Sequence, residues 1–305
     1  MLNFTLKRLL STVPTLLVLV ALVFLLLRAA PGGPFDEERA LPAEVQAQVA
    51  AAYHLDEPLW RQFGRYVAGL AQGDLGPSFQ YPGRTVNELI AAGFPVSLQL
   101  GAAAMLLALF AGCGVGILAA LRRGTLADHG LMTLAMTGLS IPNFVVAPLL
   151  ILAFALALGW LPAGGWDGWR SAVLPVIALA LPQIAVLARL TRGSMVEVMA
   201  QNYIRTARAQ GLPQRWIVMR HALKPALMPV LSYLGPATAQ IITGSVVVEQ
   251  IFSIPGLGRH FVQGALNRDY TVVMGVVVFY GALIVLFNLA VDLLYGVLDP
   301  RVRAG

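Results

Sequence analysis

Charged residues are scarce in this chain of 305 residues: they make up 12% of it, against about 25% in soluble domains. Apolar residues make up 58%, and the mean hydropathy is +0.74. This composition excludes a soluble globular domain and predicts an integral membrane protein. Only two lysines occur, Lys7 and Lys224, and neither follows a glycine. The chain therefore lacks the G-x-x-x-x-G-K-[ST] loop that binds nucleotide phosphates.

Cysteine and histidine are equally sparse. The single cysteine, Cys113, lies in an apolar run, which excludes a disulfide framework, and the four histidines lack the spacing of a metal site. No Ser-His-Asp set and no H-E-x-x-H pair lies within the apolar segments, so an intramembrane hydrolase is not favoured. We predict that the chain is not an enzyme and carries no catalytic residue, metal site or cofactor of its own.

Long apolar runs dominate the rest of the sequence. A helix needs about 20 apolar residues to cross a bilayer, and six segments are long enough: 9–28, 95–121, 131–159, 172–190, 227–249 and 271–295. The first is longer than the apolar part of a signal peptide and lacks a cleavage site, so we expect it to be retained. The predicted fold is an all-α polytopic membrane protein with six transmembrane helices.

The basic residues predict how these helices are oriented. With a cytoplasmic N-terminus, the cytoplasmic side has a net charge of +9 and the outer side −3, which together give the +6 of the whole chain. Lysine and arginine accumulate in cytoplasmic loops, so both termini are predicted to be cytoplasmic. Topology thus explains the basic excess, and the predicted partner is membrane lipid rather than nucleic acid.

Proline and glycine interrupt several predicted spans. Proline removes a helical hydrogen bond and clashes with the preceding turn. This pattern allows two interpretations: ordinary kinks, or helices that line a pathway and can rearrange. The predicted interruptions are Pro142 and Pro148 in the third span, Pro175 and Pro182 in the fourth, and Pro229, Gly235 and Pro236 in the fifth. By contrast, Gly112 and Gly116 are four positions apart and predict a close contact between two helices.

The segment 31–94 is too long for a simple connection and predicts an extracytoplasmic helical region. Asp56-Glu57-Pro58 resembles a helix start, with an amphipathic pattern after it and Gly73 at its end. Thr85 and Glu88 have the spacing of a capping box that opens a further short helix. The segment either shields the helix bundle or meets a soluble partner.

A basic insert of about 35 residues separates the fourth and fifth spans. Asn202 is the predicted cap of a short helix over 203–210, Gly211 closes it, and Pro213 opens a second helix. The insert is either a basic loop that sets topology or a docking helix that presents Tyr203, Ile204 and arginines to a groove on a soluble protein. After the fifth span, Pro255 and Gly256 predict a type II turn. Glu249 lies beside this turn, at the end of the fifth span.

The insert resembles the cytoplasmic EAA loop of ATP-binding-cassette (ABC) importer permeases, in the R-T-A-R-A-x-G form of peptide permeases. Arg205 replaces the glutamate of the general pattern and Thr206 its first alanine. Further similar motifs follow in order along the chain, at 28–32, 73–79, 94–98, 141–148, 220–227, 264–270 and 291–292. Together they are similar to the B-type permease subunit of bacterial oligopeptide importers. Dipeptide and nickel permeases of the same family are the alternatives.

The resemblance implies a type I, MetI-like permease of the bacterial cytoplasmic (inner) membrane that performs no chemistry. The implied partners are a C-type permease subunit, two cytoplasmic ATPase subunits that use ATP and magnesium, and an extracytoplasmic peptide-binding protein. The implied domains are an N-terminal helix (1–30), the outer segment (31–94), a core (95–298) with the coupling loop 191–226, and a tail (299–305).

The resemblance also implies three groups of functional residues. The coupling helix would comprise Tyr203, Ile204, Arg205, Thr206, Ala207, Arg208, Ala209, Gln210 and Gly211. Helix breaks near the path would be Pro142, Pro148, Pro182, Gly235 and Pro236, and the outer mouth would be Glu249, Pro255 and Gly256. Glu249 would then either face a peptide amino group or cap the water interface.

Two other classes of function remain as alternatives. A transporter driven by an ion gradient usually carries acidic residues or histidine within the membrane, and here only Glu249 and Asp292 qualify, both near span ends. Inverted repeats, which many such transporters contain, are not visible. A structural scaffold would not require interrupted spans.

Overall fold

The protein is described by a computed structural model that covers residues 2–29, 53–81 and 83–298. The predicted all-α class is confirmed, since these residues form helices and no strand. The tail 299–305 and residues 31–52 of the outer segment lie outside the described residues. The helices are α1 (Leu2–Ala29), α2 (Leu59–Ala71), α3 (Val86–Leu121), α4 (Leu126–Ser140), α5 (Asn143–Leu150), α6 (Trp169–Met199), α7 (Asn202–Ala209), α8 (Gln214–Trp216), α9 (Leu223–Ala226), α10 (Met228–Gly244), α11 (Val246–Ile251), α12 (Leu257–Leu266) and α13 (Tyr270–Leu298).

Two π-helical segments join these helices, Ile151–Ala157 after α5 and Ile217–Ala222 between α8 and α9. Five helical segments are long and apolar enough to cross a membrane: α1, α3, α6, α10 with α11, and α13. The predicted third span is instead a bent pair. Its two helical parts, Leu126–Ser140 and Asn143–Ala157, meet at 104°.

Helix contacts show that the bent pair makes a single crossing. A Cβ atom on Gly112 of α3 would lie 2.7 Å from Leu187 Cβ, and one on Gly116 would lie 2.6 Å from the Ala188 carbonyl oxygen. Later residues of α3 therefore meet later residues of α6, so these helices run in the same direction. The chain must cross back between them, which gives six crossings. The predicted close contact through Gly112 and Gly116 is confirmed.

The proline predictions are only partly correct. The bend follows Ser140 at Ile141 and Pro142, as predicted, and Pro148 lies inside α5 just before its π-helical continuation. The predicted interruptions at Pro175 and Pro182 are wrong, because α6 continues through both. α10 likewise continues through Gly235 and Pro236. One proline removes a single donor, and the hydrogen bonds on either side are sufficient to keep a packed helix continuous.

The outer segment contains both predicted helix starts, and one of them is displaced. Thr85 Oγ1 accepts from the Glu88 amide and Glu88 Oε2 accepts from the Thr85 amide, both at 3.3 Å, so the capping box is confirmed. It opens the 36-residue helix α3 rather than a short helix. The predicted cap Asp56 is wrong, because Pro58 occupies the N-cap position of α2.

The amphipathic face of α2 packs against α1 and α13. Its side chains Phe63, Tyr66, Val67 and Leu70 cover a buried cluster formed by Val20, Phe24, Met274 and Val278. The Phe24 and Phe63 rings meet edge to face at 5.4 Å. Leu59, the first residue of α2, is half exposed.

The chain divides into two compact units. One comprises Met1–Val96 with Pro255–Val285, and the other comprises Ser97–Ile254 with Leu286–Gly305. The insert and the bent pair belong to the second unit. The predicted functional division into outer segment, core and tail remains a prediction.

Candidate functional site: the cytoplasmic insert

The short helix of the insert is present and ends as predicted. α7 runs from Asn202 to Ala209, and Gly211 follows with a φ of +78°, the left-handed conformation that favours glycine. The Gly211 amide donates to the Arg208 carbonyl oxygen at 2.9 Å. The predicted cap is wrong: Asn202 is the first helical residue, and Gln201 before it makes no side-chain capping bond.

One face of α7 is buried within the chain. Ile204 is fully buried and Ala207 nearly so. Both belong to an apolar cluster, here called the insert core, which consists of Ala120, Met195, Ile204, Ala207, Ile217, Val218, Ala222 and Ala226. The prediction that Ile204 is presented to a partner is therefore wrong. Ile204 instead fixes α7 to the ends of α3 and α6.

The opposite face of α7 is exposed and basic. Tyr203 is 48% exposed, and Arg205, Thr206 and Arg208 point away from the insert core. Residues 202–226 contain five basic residues and no acidic one. Within the described ranges, no carboxylate forms an ion pair with any of these five. The insert therefore presents an uncompensated basic surface with an aromatic group at its edge.

The second part of the insert adds to this surface. The segment Ile217–Ala222 is π-helical, a form that often occurs at functional sites. It places Ile217, Val218 and Ala222 in the insert core while Trp216 and Met219 remain exposed, at 49% and 70%.

An ion pair braces α6 just before the insert. Arg192 Nε donates to Asp128 Oδ1 at 2.6 Å, and an Arg192 terminal nitrogen donates to Asp128 Oδ2 at 2.7 Å. The Gly124 amide donates to the same Oδ2 at 2.9 Å. Asp128 is fully buried at the start of α4. No local sequence pattern links these two residues, because they are 64 positions apart.

The residues predicted to flank the path lie at separate places. Pro142 forms the bend between α4 and α5, Pro148 lies within α5, and Pro182 lies within α6. Gly235 is a packing contact, because a Cβ atom there would lie 2.5 Å from a Val291 methyl carbon. Pro236 is exposed on α10.

The predicted outer mouth is built differently from the expectation. Glu249 is fully buried and accepts a hydrogen bond from Ser245 Oγ at 2.5 Å, so it neither faces water nor is open to cargo. The type II turn is wrong, since the φ of Gly256 is −91° where that turn requires a positive value. Gly256 instead occupies the N-cap position of α12, and Ser253, two residues after the end of α11, has a φ of +53°.

Two of the motifs that resemble those of peptide permeases, at 73–79 and 264–270, meet in the first unit. Asp269 is fully buried before α13, and its Oδ2 accepts from Ser78 Oγ at 2.5 Å and from the Phe79 and Gln80 amides at 3.0 Å. Its Oδ1 accepts from Thr271 Oγ1 at 2.9 Å. An aspartate directly before an apolar run is a typical helix start, so this role could have been predicted, whereas its partners at 78–80 could not.

Comparison with known proteins identifies the family. Residues 112–304 match the binding-protein-dependent transport system inner membrane component family. The oligopeptide transport system permease protein OppB of Salmonella typhimurium is 55% identical over 305 residues, covering 99% of this chain and all of that protein. The dipeptide transport system permease protein DppB of Bacillus subtilis is 46% identical, covering 99% of this chain and 98% of that protein.

Solved structures share the fold. The MetNI methionine ABC transporter, in an inward-facing conformation, aligns with a TM-score of 0.59 at 19% identity, covering 69% of this chain and 96% of that one. These similarities agree with the six apolar crossings and with a non-enzymatic transport subunit. This chain therefore belongs to the binding-protein-dependent transport system inner membrane components, the multi-pass permease subunits of ABC importers.

Proposed function

We propose that this permease imports oligopeptides across the bacterial inner membrane and is driven through its insert by cytoplasmic ATPase subunits. The cargo is inferred from similarity over nearly the whole chain to oligopeptide permease proteins at up to 55% identity, against 46% for a dipeptide permease. The proposed partners are a C-type permease subunit, two ATPase subunits and an extracytoplasmic peptide-binding protein. ATP and magnesium bound by the ATPase subunits supply the energy.

The exposed and buried faces of the insert support the proposed transmission of movement from the ATPase subunits. The exposed basic face of α7 is available to a groove on another protein, while Ile204 and Ala207 fix the opposite face to the insert core. Close-packed interiors transmit displacement rather than absorb it. A push on α7 therefore reaches Met195 of α6 and Ala120 of α3.

The brace between α4 and α6 extends this transmission. Asp128 and Arg192 join the start of α4 to α6, and a Cβ atom on Gly138 would lie 2.6 Å from the Leu181 carbonyl oxygen. α4 and α6 are thus in close contact at two levels and move together. The bend at Ile141 and Pro142 then acts as the pivot between this pair and α5.

Reconstitution in liposomes tests the proposed function. The permease is combined with candidate C-type and ATPase subunits and the binding protein, and entry of a labelled oligopeptide, a dipeptide and nickel is compared. We expect oligopeptide entry that requires ATP hydrolysis and persists when the proton gradient is dissipated. Entry driven by the purified permease alone, or abolished with the gradient while ATP is constant, would contradict the proposal.

Charge reversal tests the docking surface. The double change Arg205→Glu with Arg208→Glu should prevent assembly with the ATPase subunits, because both side chains lie on the exposed face of α7. The control Arg61→Glu alters an exposed arginine of α2 outside the insert and should leave assembly unchanged. Copurification of the ATPase subunits is the measurement, and normal copurification of the double variant would count against α7 as the docking element.

A further inference from the structure

A hydrogen-bonded set of polar side chains lies near the middle of two apolar spans. Tyr233 Oη donates to Gln183 Oε1 at 2.8 Å, and Gln183 Nε2 donates to Gln240 Oε1 at 3.4 Å. Gln183 is close to the midpoint of α6, and Gln240 is close to the midpoint of Met228–Ile251. Gln183 is buried, whereas Gln240 is exposed on the surface of α10.

An exposed glutamine at this depth is not compatible with lipid. The hydrocarbon core offers no hydrogen-bond partner, so a polar group there must be satisfied by protein or water. Within the part of the chain that the structure describes, nothing accepts a hydrogen bond from Gln240 Nε2. The amide therefore requires a polar environment outside this subunit.

The surface around Gln240 is also poorly suited to lipid. Four exposed residues of α10 and α11 recur every three or four positions and so share one face, here called the α10 stripe: Pro236, Gln240, Gly244 and Val247. A Cβ atom on Gly244 would meet no atom within 4 Å. By contrast, the exposed residues of α1 include six large apolar ones, Val13, Leu17, Val18, Leu22, Leu25 and Leu26. The face of α1 suits lipid, and the α10 stripe does not.

We propose that the α10 stripe lines the translocation path and that Gln240 hydrogen-bonds the backbone of the passing peptide. An amide donates and accepts, so it matches the N–H and C=O groups of an extended peptide of any sequence. Gln183 and Tyr233 are positioning residues, because they hold Gln240 from behind. The set carries no charge, so it does not select peptides by the sign of their side chains. This inference rests on the proposed import of peptides.

Thiol labelling tests whether the α10 stripe faces water. Cys113 is the only cysteine, so a Cys113→Ser background isolates any new thiol. The Gln240→Cys variant is compared with the control Leu22→Cys on the exposed face of α1, both in the assembled importer in liposomes. We expect a charged methanethiosulfonate reagent to modify the Gln240→Cys variant, and saturating peptide to slow that reaction. The Leu22→Cys control should react only with a lipid-soluble maleimide.

Two results of this experiment would overturn the proposal. Reaction of the Gln240→Cys variant with the lipid-soluble reagent alone would place the stripe against lipid. Reaction in the isolated subunit but with neither reagent in the assembled importer would make it the contact with the second permease subunit.

Transport kinetics test the role of the amide. The Gln240→Leu variant keeps the side-chain size and removes one hydrogen bond to peptide, so we expect the KM for peptide to rise about fivefold. Tyr233→Phe should raise KM by less, because it removes only the support of Gln183. The control Thr243→Val changes a hydroxyl that donates to its own helix at Ala239, and KM should stay constant.

The same measurements separate this inference from the proposed function. An unchanged KM in Gln240→Leu, with wild-type import that depends on ATP, would overturn the inference and leave the proposed function in place. Absence of peptide import by the wild-type importer would contradict the proposed function itself.

Discussion

Arg192 of α6 holds Asp128 of α4 through two hydrogen bonds, of 2.6 and 2.7 Å, one to each carboxylate oxygen. Asp128 is fully buried, and Arg192 lies seven positions before the end of α6. A guanidinium in this two-point geometry fixes orientation as well as distance. The pair therefore sets the angle between α4 and the helix that leads into the insert.

Replacing Arg192 by lysine should weaken coupling. Lysine keeps the charge but cannot donate in the two-point geometry, so α4 should no longer follow α6. We expect peptide uptake per ATP hydrolysed to fall, together with the temperature of thermal unfolding. Arg189→Lys, on the same helix and exposed, is the matched control and should retain both values. Equal uptake per ATP in the two variants would show that the pair does not brace the helices.

Gly116→Ala should separate α3 from α6. The added methyl group would lie 2.6 Å from the Ala188 carbonyl oxygen and 2.7 Å from Thr191 Cβ, so the backbones must move apart. Overpacking of this kind costs about 1–3 kcal/mol. The control Gly114→Ala meets no atom within 4 Å and should be neutral or stabilising by up to about 1 kcal/mol, since alanine favours helix. Thermal unfolding in detergent measures both, and equal stabilities would contradict the close contact.

Asp269→Asn should loosen the outer segment. The Asp269 carboxylate accepts hydrogen bonds at both of its oxygens, from Ser78, two backbone amides and Thr271. An asparagine side chain has only one acceptor oxygen. Loss of a hydrogen bond to a charged group costs about 1.5–3 kcal/mol. Asp74→Asn, an exposed aspartate that accepts from the Gly76 amide, is the control and should change stability by less than about 0.5 kcal/mol. Faster hydrogen exchange at residues 78–80 in Asp269→Asn alone would confirm the role.

Substitutions at Gly211 should uncouple uptake from ATP hydrolysis. Its φ of +78° is unfavourable for valine and impossible for proline, which would also remove the hydrogen bond to Arg208. Gly211→Asn is the matched control, because asparagine tolerates the left-handed conformation. We expect low uptake for Gly211→Val and Gly211→Pro with normal amounts in the membrane, and near-normal uptake for Gly211→Asn. Normal ATP-driven uptake by Gly211→Pro would refute the role of this residue.

His260 should make the stability of the protein depend on pH. Burial, and then the charges of Arg259 and Arg84, lower the pKa of His260 below its ordinary value. Among the residues that the structure describes, its buried Nδ1 has no hydrogen-bond partner, and its ring lies against Tyr81. Because the folded state favours the neutral ring, the stabilisation is complete above the unfolded pKa of about 6.5 and is lost as pH falls below it. The His260→Phe variant should unfold at a temperature that changes less between pH 7 and pH 5.

Local patterns predicted the elements better than their contacts. The apolar runs indicated six spans, the pair Thr85 and Glu88 indicated a helix start, and Gly211 indicated a helix end, because each depends on neighbours in sequence. The buried role of Ile204 could not be predicted, since it depends on Ile217 and Met195 folding back over α7. The pair of Asp128 and Arg192 and the set of Tyr233, Gln183 and Gln240 join distant positions, for which one sequence carries no signal.

Proline gave the least reliable signal. Pro142 coincides with a bend of 104°, whereas Pro175 and Pro182 lie in an uninterrupted helix. Unlike the bent pair, α6 packs on both α3 and α4 at glycine contacts, and it continues through both of its prolines. A proline offers a place to bend, and the surrounding helices decide whether the bend occurs.

The single crossing made by the bent pair decides at which end of α3 and α6 the insert lies. Because α3 and α6 run in the same direction, the connection after α3 and the insert after α6 lie at the same end of these two helices. Had the pair turned back, the insert would lie at the opposite end, away from Ala120 of α3. A 104° corner between two helices, each too short to cross a bilayer alone, thus keeps α7 beside the ends of α3 and α6.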